Sequence, residues 1–229
     1  MYKRKRVTAV ILAAGSGSRM QIEDNKVYLP LGGQPVVAHS IAVFDTHLYI
    51  DELVLVTRGD EQVHLSKLAD EMGLTKPWRT VLGGTTRQDS VRLAIEKLDS
   101  HVVLIHDGAR PFVAPRHITE CVEALDQYDG AIVAYPVIER IVEVPKGKGR
   151  AKVRHTTPHA AQTPQCFPTK LLQKCHERHK KSPVATDDSS LLELEGYRVG
   201  IVPGDVGNLK VTTPLDLPLA TGFLPCMVD

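Results

Sequence analysis

The sequence has little of what marks a secreted, disulfide-rich or metal-binding protein. Its 229 residues contain one tryptophan and four cysteines, and aromatic residues make up only 5% of the chain. The cysteines form no CxxC pair and have no histidine at metal-ligand spacing; they are Cys121, Cys166, Cys175 and Cys226. Disulfide-based folds are smaller and richer in cysteine, so we expect reduced thiols and a cytoplasmic protein.

The sequence also lacks an excess of charge and a long apolar run. Its 28 Lys and Arg residues balance 27 Asp and Glu residues, which argues against a nucleic-acid partner because such proteins need a strongly basic surface. The most apolar stretch, residues 7–14, is too short to span a membrane. Basic residues 3–6 precede it, but it continues into a glycine-rich turn without an A-x-A cleavage pattern. We therefore interpret residues 3–6 as a solvated lead-in to a first strand rather than a signal peptide.

Short apolar runs alternate along the chain with helical patterns. The runs are continuous, as in buried parallel strands, and cover residues 7–13, 53–57, 102–106, 131–137 and 199–203. The helical patterns cover residues 35–44, 61–72, 89–98, 115–127 and 169–176. This order predicts an α/β fold with a single doubly wound, mostly parallel sheet, in one domain over residues 1–229. Such sheets bind ligands at the carboxyl ends of their strands, which here means the loops after Ala13, Leu82, His106 and Val137.

One segment, residues 138–155, breaks the alternation. It consists of two β-prone arms around a turn rich in glycine, proline and lysine, which predicts a protruding β-hairpin arm. A two-stranded ribbon is only marginally stable alone, so we expect it to contact another subunit. A simple surface hairpin is the alternative.

A glycine-rich turn follows the first apolar run. Gly15 and Gly17 permit positive φ, and the successive N–H groups of such a loop can hold phosphate oxygens. The third glycine and the acidic ribose ligand of a dinucleotide site are missing, and so is the Lys-Ser/Thr of a P-loop. Arg19 and Lys26 indicate instead a polyanion whose charge is neutralised. An NAD-dependent oxidoreductase remains an alternative that these absences disfavour.

Three further segments carry candidate site residues. The glycine-rich loop of residues 83–90 runs into a helix and suits a flat ligand such as a nucleobase. Asp107 ends a predicted strand, where a carboxylate together with substrate phosphates suits Mg²⁺; a helix or turn cap is the alternative. Lys210 lies among apolar neighbours in residues 208–212.

Asp187 and Asp188 precede the apolar pattern of residues 191–194. This is a helix N-cap signature, and both carboxylates suit the positive end of the helix dipole. A second metal site is the alternative.

Six motifs in one order extend over nearly the whole chain. They are A-A-G-x-G-x-R-M at residues 13–20, G-G-x-x-R-x-x-S-V at 83–91, H-D-x-A-R-P at 106–111, Q-T-P-Q-x-F at 162–167, T-D-D-x-S at 186–190 and N-x-K-[IV]-T at 208–212. In this order and spacing they resemble the 2-C-methyl-D-erythritol 4-phosphate cytidylyltransferases. Close relatives of that family, including ribitol-5-phosphate cytidylyltransferases, share most of these motifs.

The resemblance implies a Rossmann-like nucleotidyltransferase of isoprenoid-precursor synthesis. Such an enzyme transfers CMP from CTP to methylerythritol phosphate with Mg²⁺, as a homodimer in which each hairpin arm reaches the partner's site. A pentitol phosphate such as ribitol 5-phosphate is the alternative acceptor. A non-catalytic nucleotide-binding homologue is a further alternative.

The resemblance also assigns site residues. CTP is expected at Ala13, Ala14, Gly15, Gly17, Arg19, Lys26, Gly84, Arg87, Ser90, Asp107 and Ala109. Asp107 is expected to hold Mg²⁺, and catalysis is assigned to Arg19, Lys26 and Lys210. The acceptor's phosphate is expected at Arg110, Thr163 and Lys210.

The chain departs from the family pattern on the acceptor side. Asn25-Lys26-Val27 replaces Pro-Lys-Gln, residues 139–142 read Glu-Arg-Ile-Val instead of Asp-Thr-Ile-Lys, and His155 replaces a phosphate-binding arginine. Neutral histidine is a weaker phosphate ligand than a bidentate arginine. We expect Arg140 to supply the missing charge. Two alternatives stay open: Arg154 acting through a one-residue strand shift, or hairpin charges that are merely solvated.

Overall fold

The computed structural model describes the chain in six parts. They are residues 1–15, 25–139, 141–143, 152–153, 157–180 and 186–224, with only the backbone of 142–143 and 152–153. The predictions for Gly17, Arg19, Arg140 and His155 lie outside the described residues.

The described residues form eleven strands and seven α-helices. The strands are β1 (Val7–Leu12), β2 (Pro30–Leu31), β3 (Gln34–Pro35), β4 (Glu52–Thr57), β5 (Trp78–Leu82), β6 (Val102–Asp107), β7 (Gly130–Pro136), β8 (Val142–Glu143), β9 (Lys152–Val153), β10 (His159–Pro168) and β11 (Val199–Pro203). The helices are α1 (Val36–Thr46), α2 (Gln62–Glu71), α3 (Arg87–Ile95), α4 (Pro115–Ala124), α5 (Thr169–His179), α6 (Asp188–Leu194) and α7 (Asp216–Phe223). Short 3₁₀ helices occupy Lys26–Tyr28 and Gly59–Glu61.

The central sheet has seven strands in the order β11-β7-β10-β6-β1-β4-β5. All neighbouring pairs are parallel except those of β10, which runs antiparallel to both β6 and β7. From β1 the chain adds β4 and then β5 on one side of the sheet. It then returns to the other side of β1, where it adds β6. The switch point between β1 and β6 is where such sheets bind ligands.

Both faces of the sheet are covered by helices, which explains the continuous apolar runs of the strands. Alternate side chains of a strand point to opposite faces. Ile11 of β1 belongs to the apolar cluster with residues of α1, α2 and α4, whereas Val10 belongs to the cluster with residues of α3, α5 and α6. This arrangement confirms the predicted doubly wound, mostly parallel α/β fold.

The predicted strand and helix patterns match structural elements. The antiparallel β10, the short strands β2 and β3 and the helix α7 were not predicted, and of β5, at one edge of the central sheet, only the end at Leu82 was expected. The backbone pairing of Val142 with Val153 and of Glu143 with Lys152 agrees with the predicted hairpin. Residues 140, 144–151 and 154–155 of that arm lie outside the described residues.

A third, smaller apolar cluster lies beside the sheet. Ala220 of α7 packs there with Leu31, Val36, Phe112 and Val211. This cluster links the segment after Lys26 to the segment that carries Lys210. The two lysines are therefore positioned relative to each other by packing outside the main sheet.

Candidate functional site

A cleft of about 480 Å³ opens at the carboxyl ends of β1, β4, β5 and β6. This volume is within the range of small-ligand sites. Its lining residues are Leu12, Ala14, Gly15, Lys26, Val27, Arg58, Gly84, Thr85, Thr86, Arg87, Ser90, Asp107, Ala109 and Lys210. The fold thus brings residues from distant parts of the chain to the predicted edge of the sheet.

Lys26 reaches the cleft from a short 3₁₀ helix that Asn25 caps. The side-chain oxygen of Asn25 accepts a hydrogen bond from the backbone N–H of Val27 at 3.3 Å. Its amide donates to the carbonyl of Ala13 at 2.7 Å and to Glu61 at 2.9 Å. Buried Asn25 therefore ties the turn of Lys26 to the end of β1 and to the loop after β4.

We expect Asn25→Ala to lower both stability and turnover. The substitution removes the two donated bonds and leaves the Ala13 carbonyl without this partner, so the free energy of unfolding should fall by about 1–3 kcal/mol. Displacement of the Lys26 turn should lower kcat by roughly tenfold or more. Denaturant unfolding and steady-state assays measure the two effects. Asn25→Asp keeps the oxygen that caps the 3₁₀ helix but loses both donated hydrogen bonds, so it distinguishes the effect of the cap from the effect of those bonds. An unchanged kcat in both variants would contradict the expectation.

The second glycine-rich loop is closed tightly onto α3. A Cβ atom at Gly84 would collide with the side chain of Asp89, so a residue with a side chain would force the loop open. The N–H of Gly84 donates to the hydroxyl of Ser90 at 3.1 Å, and Thr86 caps α3 by accepting from the N–H of Asp89. The loop is therefore held close to the helix, and Arg87 begins α3 at the cleft.

Asp107 is the electrostatic centre of the cleft. Its carboxylate lies 2.7 Å from Lys210 Nζ, 3.4 Å from Arg87 Nε and 3.7 Å from Arg110 Nε. Burial by itself raises the pKa of Asp107, but the three cations outweigh it, and its pKa is held well below the usual range. Asp107 is therefore ionised, and the cations around it provide surplus positive charge for an anionic ligand.

Arg110 and Thr163 lie behind Asp107 and do not line the cleft. The Thr163 hydroxyl accepts from the Asp107 N–H at 3.1 Å and lies 3.0 Å from His106 Nδ1. The other ring nitrogen of His106 is 3.3 Å from the Arg110 carbonyl and so carries the proton, which leaves Nδ1 to accept from the hydroxyl. Burial lowers the pKa of His106 to about 3, so this ring stays neutral and fixes the loop after β6. The assignment of Arg110 and Thr163 to the acceptor's phosphate stays a prediction.

The paired aspartates at the start of α6 have different roles. Asp187 caps the helix by accepting from the N–H of Ser190, which confirms the capping interpretation. Asp188 is buried and lies 2.7 Å from Arg87 Nη1 and 2.9 Å from His176 Nε2. Burial raises the pKa of Asp188, but Arg87 and His176 outweigh it, and the pKa is lowered. Both carboxylate oxygens of Asp188 have protein partners, and Asp188, unlike Asp107, does not line the cleft.

The residues at the cleft could hold Mg²⁺ only together with the phosphates of a substrate. The described part of the chain contains no group of three or more His, Cys, Asp and Glu side chains arranged to hold a metal. Asp107 presents one carboxylate at the cleft, and Mg²⁺ in phosphate-transfer sites takes one or two carboxylates together with substrate phosphates and water. Asp107 fits that role.

Sequence reasoning missed some residues at the cleft. Arg58 directly follows the last residue of β4, which is the kind of position where a ligand contact is expected, yet the loop after β4 was not among the predicted ones. Its guanidinium is held by Asp60 at 2.6 Å and Glu61 at 3.5 Å. Asp188 was predicted only as part of a helix start or, alternatively, of a second metal site. Nothing in the spacing of Arg87 and Asp188, 101 residues apart, indicates their contact.

The fold and the cleft are those of an α/β enzyme of the nucleotidyltransferase type. Positively charged side chains at the switch point of its sheet form a site for an anionic ligand. The family model described as 2-C-methyl-D-erythritol 4-phosphate cytidylyltransferase matches residues 7–225. The chain belongs to this family.

Individual relatives agree over nearly their full lengths. The 2-C-methyl-D-erythritol 4-phosphate cytidylyltransferase of Halalkalibacterium halodurans is 39% identical over 95% of this chain and 96% of its own. The enzyme of that name from Bacillus velezensis is 38% identical over 94% of each chain. Among solved structures, 4-diphosphocytidyl-2C-methyl-D-erythritol synthase from Anaerococcus prevotii superposes with a TM-score of 0.85 at 30% identity, covering 96% of each chain. Family membership confirms the resemblance and the transferase class, and it removes the oxidoreductase alternative.

Proposed function

We propose that this chain transfers CMP from CTP to 2-C-methyl-D-erythritol 4-phosphate, giving 4-diphosphocytidyl-2-C-methyl-D-erythritol and pyrophosphate. The observation that carries the proposal is the cationic group around Asp107 at the strand-end cleft, in a chain of this family. Lys26, Arg87 and Lys210 line that cleft together with the glycine-rich loops.

The reaction joins two anions, so the chain's main task is to neutralise and align them. A phosphate oxygen of the acceptor attacks the α-phosphorus of CTP, a P–O bond forms, and pyrophosphate leaves in line with its electron pair. No protein nucleophile takes part. Lys26 and Arg19 neutralise the charge that develops on the α-phosphate, an interaction that is strong in a cleft with little water.

The groups proposed for the two substrates lie side by side. Lys210, proposed for the acceptor's phosphate, is 2.7 Å from Asp107, which is proposed to hold Mg²⁺. Behind them, buried Arg110 Nε donates no hydrogen bond among the described residues and lies 3.7 Å from Asp107. Because these side chains are adjacent, the phosphate of the acceptor and the α-phosphate of CTP would be held close together in the orientation that the reaction needs. When bound at Asp107, Mg²⁺ would supply positive charge to the CTP phosphates.

The proposal also covers the domain organisation, the oligomeric state and the cellular location of the protein. We propose one domain over residues 1–229 and a homodimer in which the arm of residues 138–155 reaches the partner's cleft. The cysteines of the described residues, Cys121, Cys166 and Cys175, are free and buried, which supports a reducing, cytoplasmic setting. No helix within the described ranges is long and apolar enough to cross a membrane.

A pyrophosphate-release assay with CTP and Mg²⁺ tests the proposal. The acceptors are 2-C-methyl-D-erythritol 4-phosphate, ribitol 5-phosphate and related sugar-alcohol phosphates, and release with the first is the expected result. Release with ribitol 5-phosphate alone would move the assignment to a pentitol-phosphate cytidylyltransferase. Release with none of them would contradict the catalytic proposal and favour a nucleotide-binding homologue.

Arg140 is proposed to supply the acceptor-binding charge that His155 lacks. We expect Arg140→Ala to raise the KM for the acceptor by roughly tenfold or more, because one charged hydrogen-bonding partner of the phosphate is lost. The KM for CTP should stay within about twofold, because the arm is not expected to contact CTP. Steady-state kinetics with each substrate varied in turn measure both constants.

Arg154→Ala is the matched control for this expectation. It removes an arginine from the same arm and should leave the acceptor KM unchanged. An effect of Arg154→Ala without an effect of Arg140→Ala would show that the strand-shift alternative is correct. No effect of either would show that the hairpin charges are only solvated.

A further inference from the structure

Arg87 lies between two carboxylates that come from different parts of the fold. Its Nη1 is 2.7 Å from Asp188 at the start of α6, and its Nε is 3.4 Å from Asp107 at the end of β6. The guanidinium can serve both because its donors point in fixed, divergent directions. Arg87 therefore connects the cleft to a carboxylate that does not line it.

The two contacts of Arg87 are unequal. A separation of 2.7 Å is typical of a strong charge-assisted hydrogen bond, whereas 3.4 Å is near the limit for any hydrogen bond. Asp188 is therefore the main anchor of Arg87, and Asp107 is the weaker partner. A ligand can draw Asp107 away from Arg87 without releasing Arg87 from its anchor.

Asp188 is itself fixed on all sides. Its side chain is only 2% exposed, and His176 Nε2 lies 2.9 Å from its second oxygen. His176 is completely buried in α5, and the Asp188 N–H donates to the Gln165 side chain at 3.2 Å. A carboxylate held by α5, α6 and β10 is a rigid reference point for a side chain at the edge of the cleft.

We propose that Asp188 is a positioning residue for nucleotide binding: it holds Arg87 against the cleft wall and so leaves Asp107 available for the cation and phosphates of CTP. The proposal rests on the proposed function and adds a residue that does not line the cleft. Without the Asp188 charge, Asp107 is the carboxylate partner that Arg87 retains among the described residues. Arg87 would then move towards Asp107, lose its own place at the nucleotide and compete with the cation.

The test measures CTP binding by calorimetry in the presence of Mg²⁺, independently of turnover. Asp188→Asn should weaken CTP binding by roughly 10- to 100-fold, as is typical when a group that orients a ligand-binding residue is removed. The KM for the acceptor should change little, because Arg87 is expected to contact CTP and not the acceptor. A purely structural role would lower the melting temperature without this selective loss of CTP affinity.

Asp187→Asn is the matched control. It removes a negative charge from the adjacent position, yet asparagine caps helices as well as aspartate, so α6 keeps its cap. Asp187 accepts hydrogen bonds from Gln165 and from residues of α6 rather than from Arg87. CTP affinity should match that of the wild type.

A double-mutant cycle with Arg87→Gln tests whether Asp188 acts through Arg87. Arg87→Gln should weaken CTP binding, and adding Asp188→Asn to it should weaken binding no further than about twofold. The double variant also avoids an unpaired buried charge, so the comparison with Arg87→Gln remains possible if Asp188→Asn alone folds poorly.

The outcomes separate this proposal from the proposed function. Wild-type affinity in Asp188→Asn, or a further large loss in the double variant, would overturn the positioning role while leaving the cytidylyltransferase proposal standing. A wild-type protein that does not bind CTP at all would overturn both.

Discussion

Lys26→Met is expected to lower kcat for pyrophosphate release by roughly 10²- to 10³-fold, as loss of one preorganised transition-state donor does. Methionine keeps most of the apolar stem and removes the charge. Lys26 is only 8% exposed although it lines the cleft, so solvent has little access to its side chain. Because the proposed stabilisation is largest in the transition state, kcat and kcat/KM should fall together, whereas CTP binding should change much less. Steady-state kinetics and calorimetric CTP binding measure the two quantities.

Lys67→Met is the matched control for this substitution. Lys67 lies on the exposed side of α2, 3.7 Å from Glu71, and is 74% exposed. It should leave kcat unchanged. A Lys26→Met variant that retains more than about a tenth of wild-type kcat would remove Lys26 from the proposed catalytic role.

Asp107→Asn is expected to separate CTP binding from catalysis. The substitution removes the carboxylate proposed for Mg²⁺ but keeps the shape of the side chain, so kcat should fall by roughly 10²-fold or more. CTP affinity in the absence of Mg²⁺ should not fall, because Arg87 and Lys210, which line the cleft, lose a competing anion and remain available for the phosphates. Three cations without their shared counter-ion should also lower the free energy of unfolding by about 3–5 kcal/mol. Kinetics, calorimetry and denaturant unfolding test the three parts.

Asp99→Asn provides the comparison for Asp107→Asn. Asp99 forms an ion pair with Arg6 at 2.7 Å, but its side chain is 82% exposed. Exposed pairs of this kind contribute about 0–1 kcal/mol, so stability and kcat should change little. Equal effects of the two substitutions would contradict the central position given to Asp107.

The strands that could be predicted are the buried strands whose sequences are continuous apolar runs. β6 is the clearest case, because all its residues are buried and its last residue is the acidic Asp107. β10 was missed because Gln162, Thr163 and Pro164 interrupt any such pattern, and proline is normally excluded from the inside of a sheet. The ladder between β7 and β10 shifts register between Ala161 and Gln165, and the proline is accommodated there. This burial arises from tertiary structure and leaves no local signal.

The site could be predicted where its residues follow a strand or belong to a recognisable motif. Gly15, Lys26, Gly84, Asp107 and Lys210 were found in this way, and all of them line the cleft. The partners that hold such residues were not found. Contacts between a cleft residue and a buried carboxylate far along the chain depend on how helices pack against the sheet, which periodicity does not encode.

The base of the hairpin arm has a consequence for how enzymes of this architecture can diverge. β7 and β10 are antiparallel neighbours, Pro136 pairs with His159, and the Val137 N–H donates to the Pro158 carbonyl at 2.8 Å. The chain between them leaves and re-enters the central sheet at adjacent points, so its length and sequence can change without moving the strands of the central sheet. Under the proposed acceptor-binding role of the arm, acceptor choice can then change with the arm while the nucleotide-binding half stays constant. Grafting an arm from a relative with another acceptor is then a route to new specificity that leaves the CTP cleft intact.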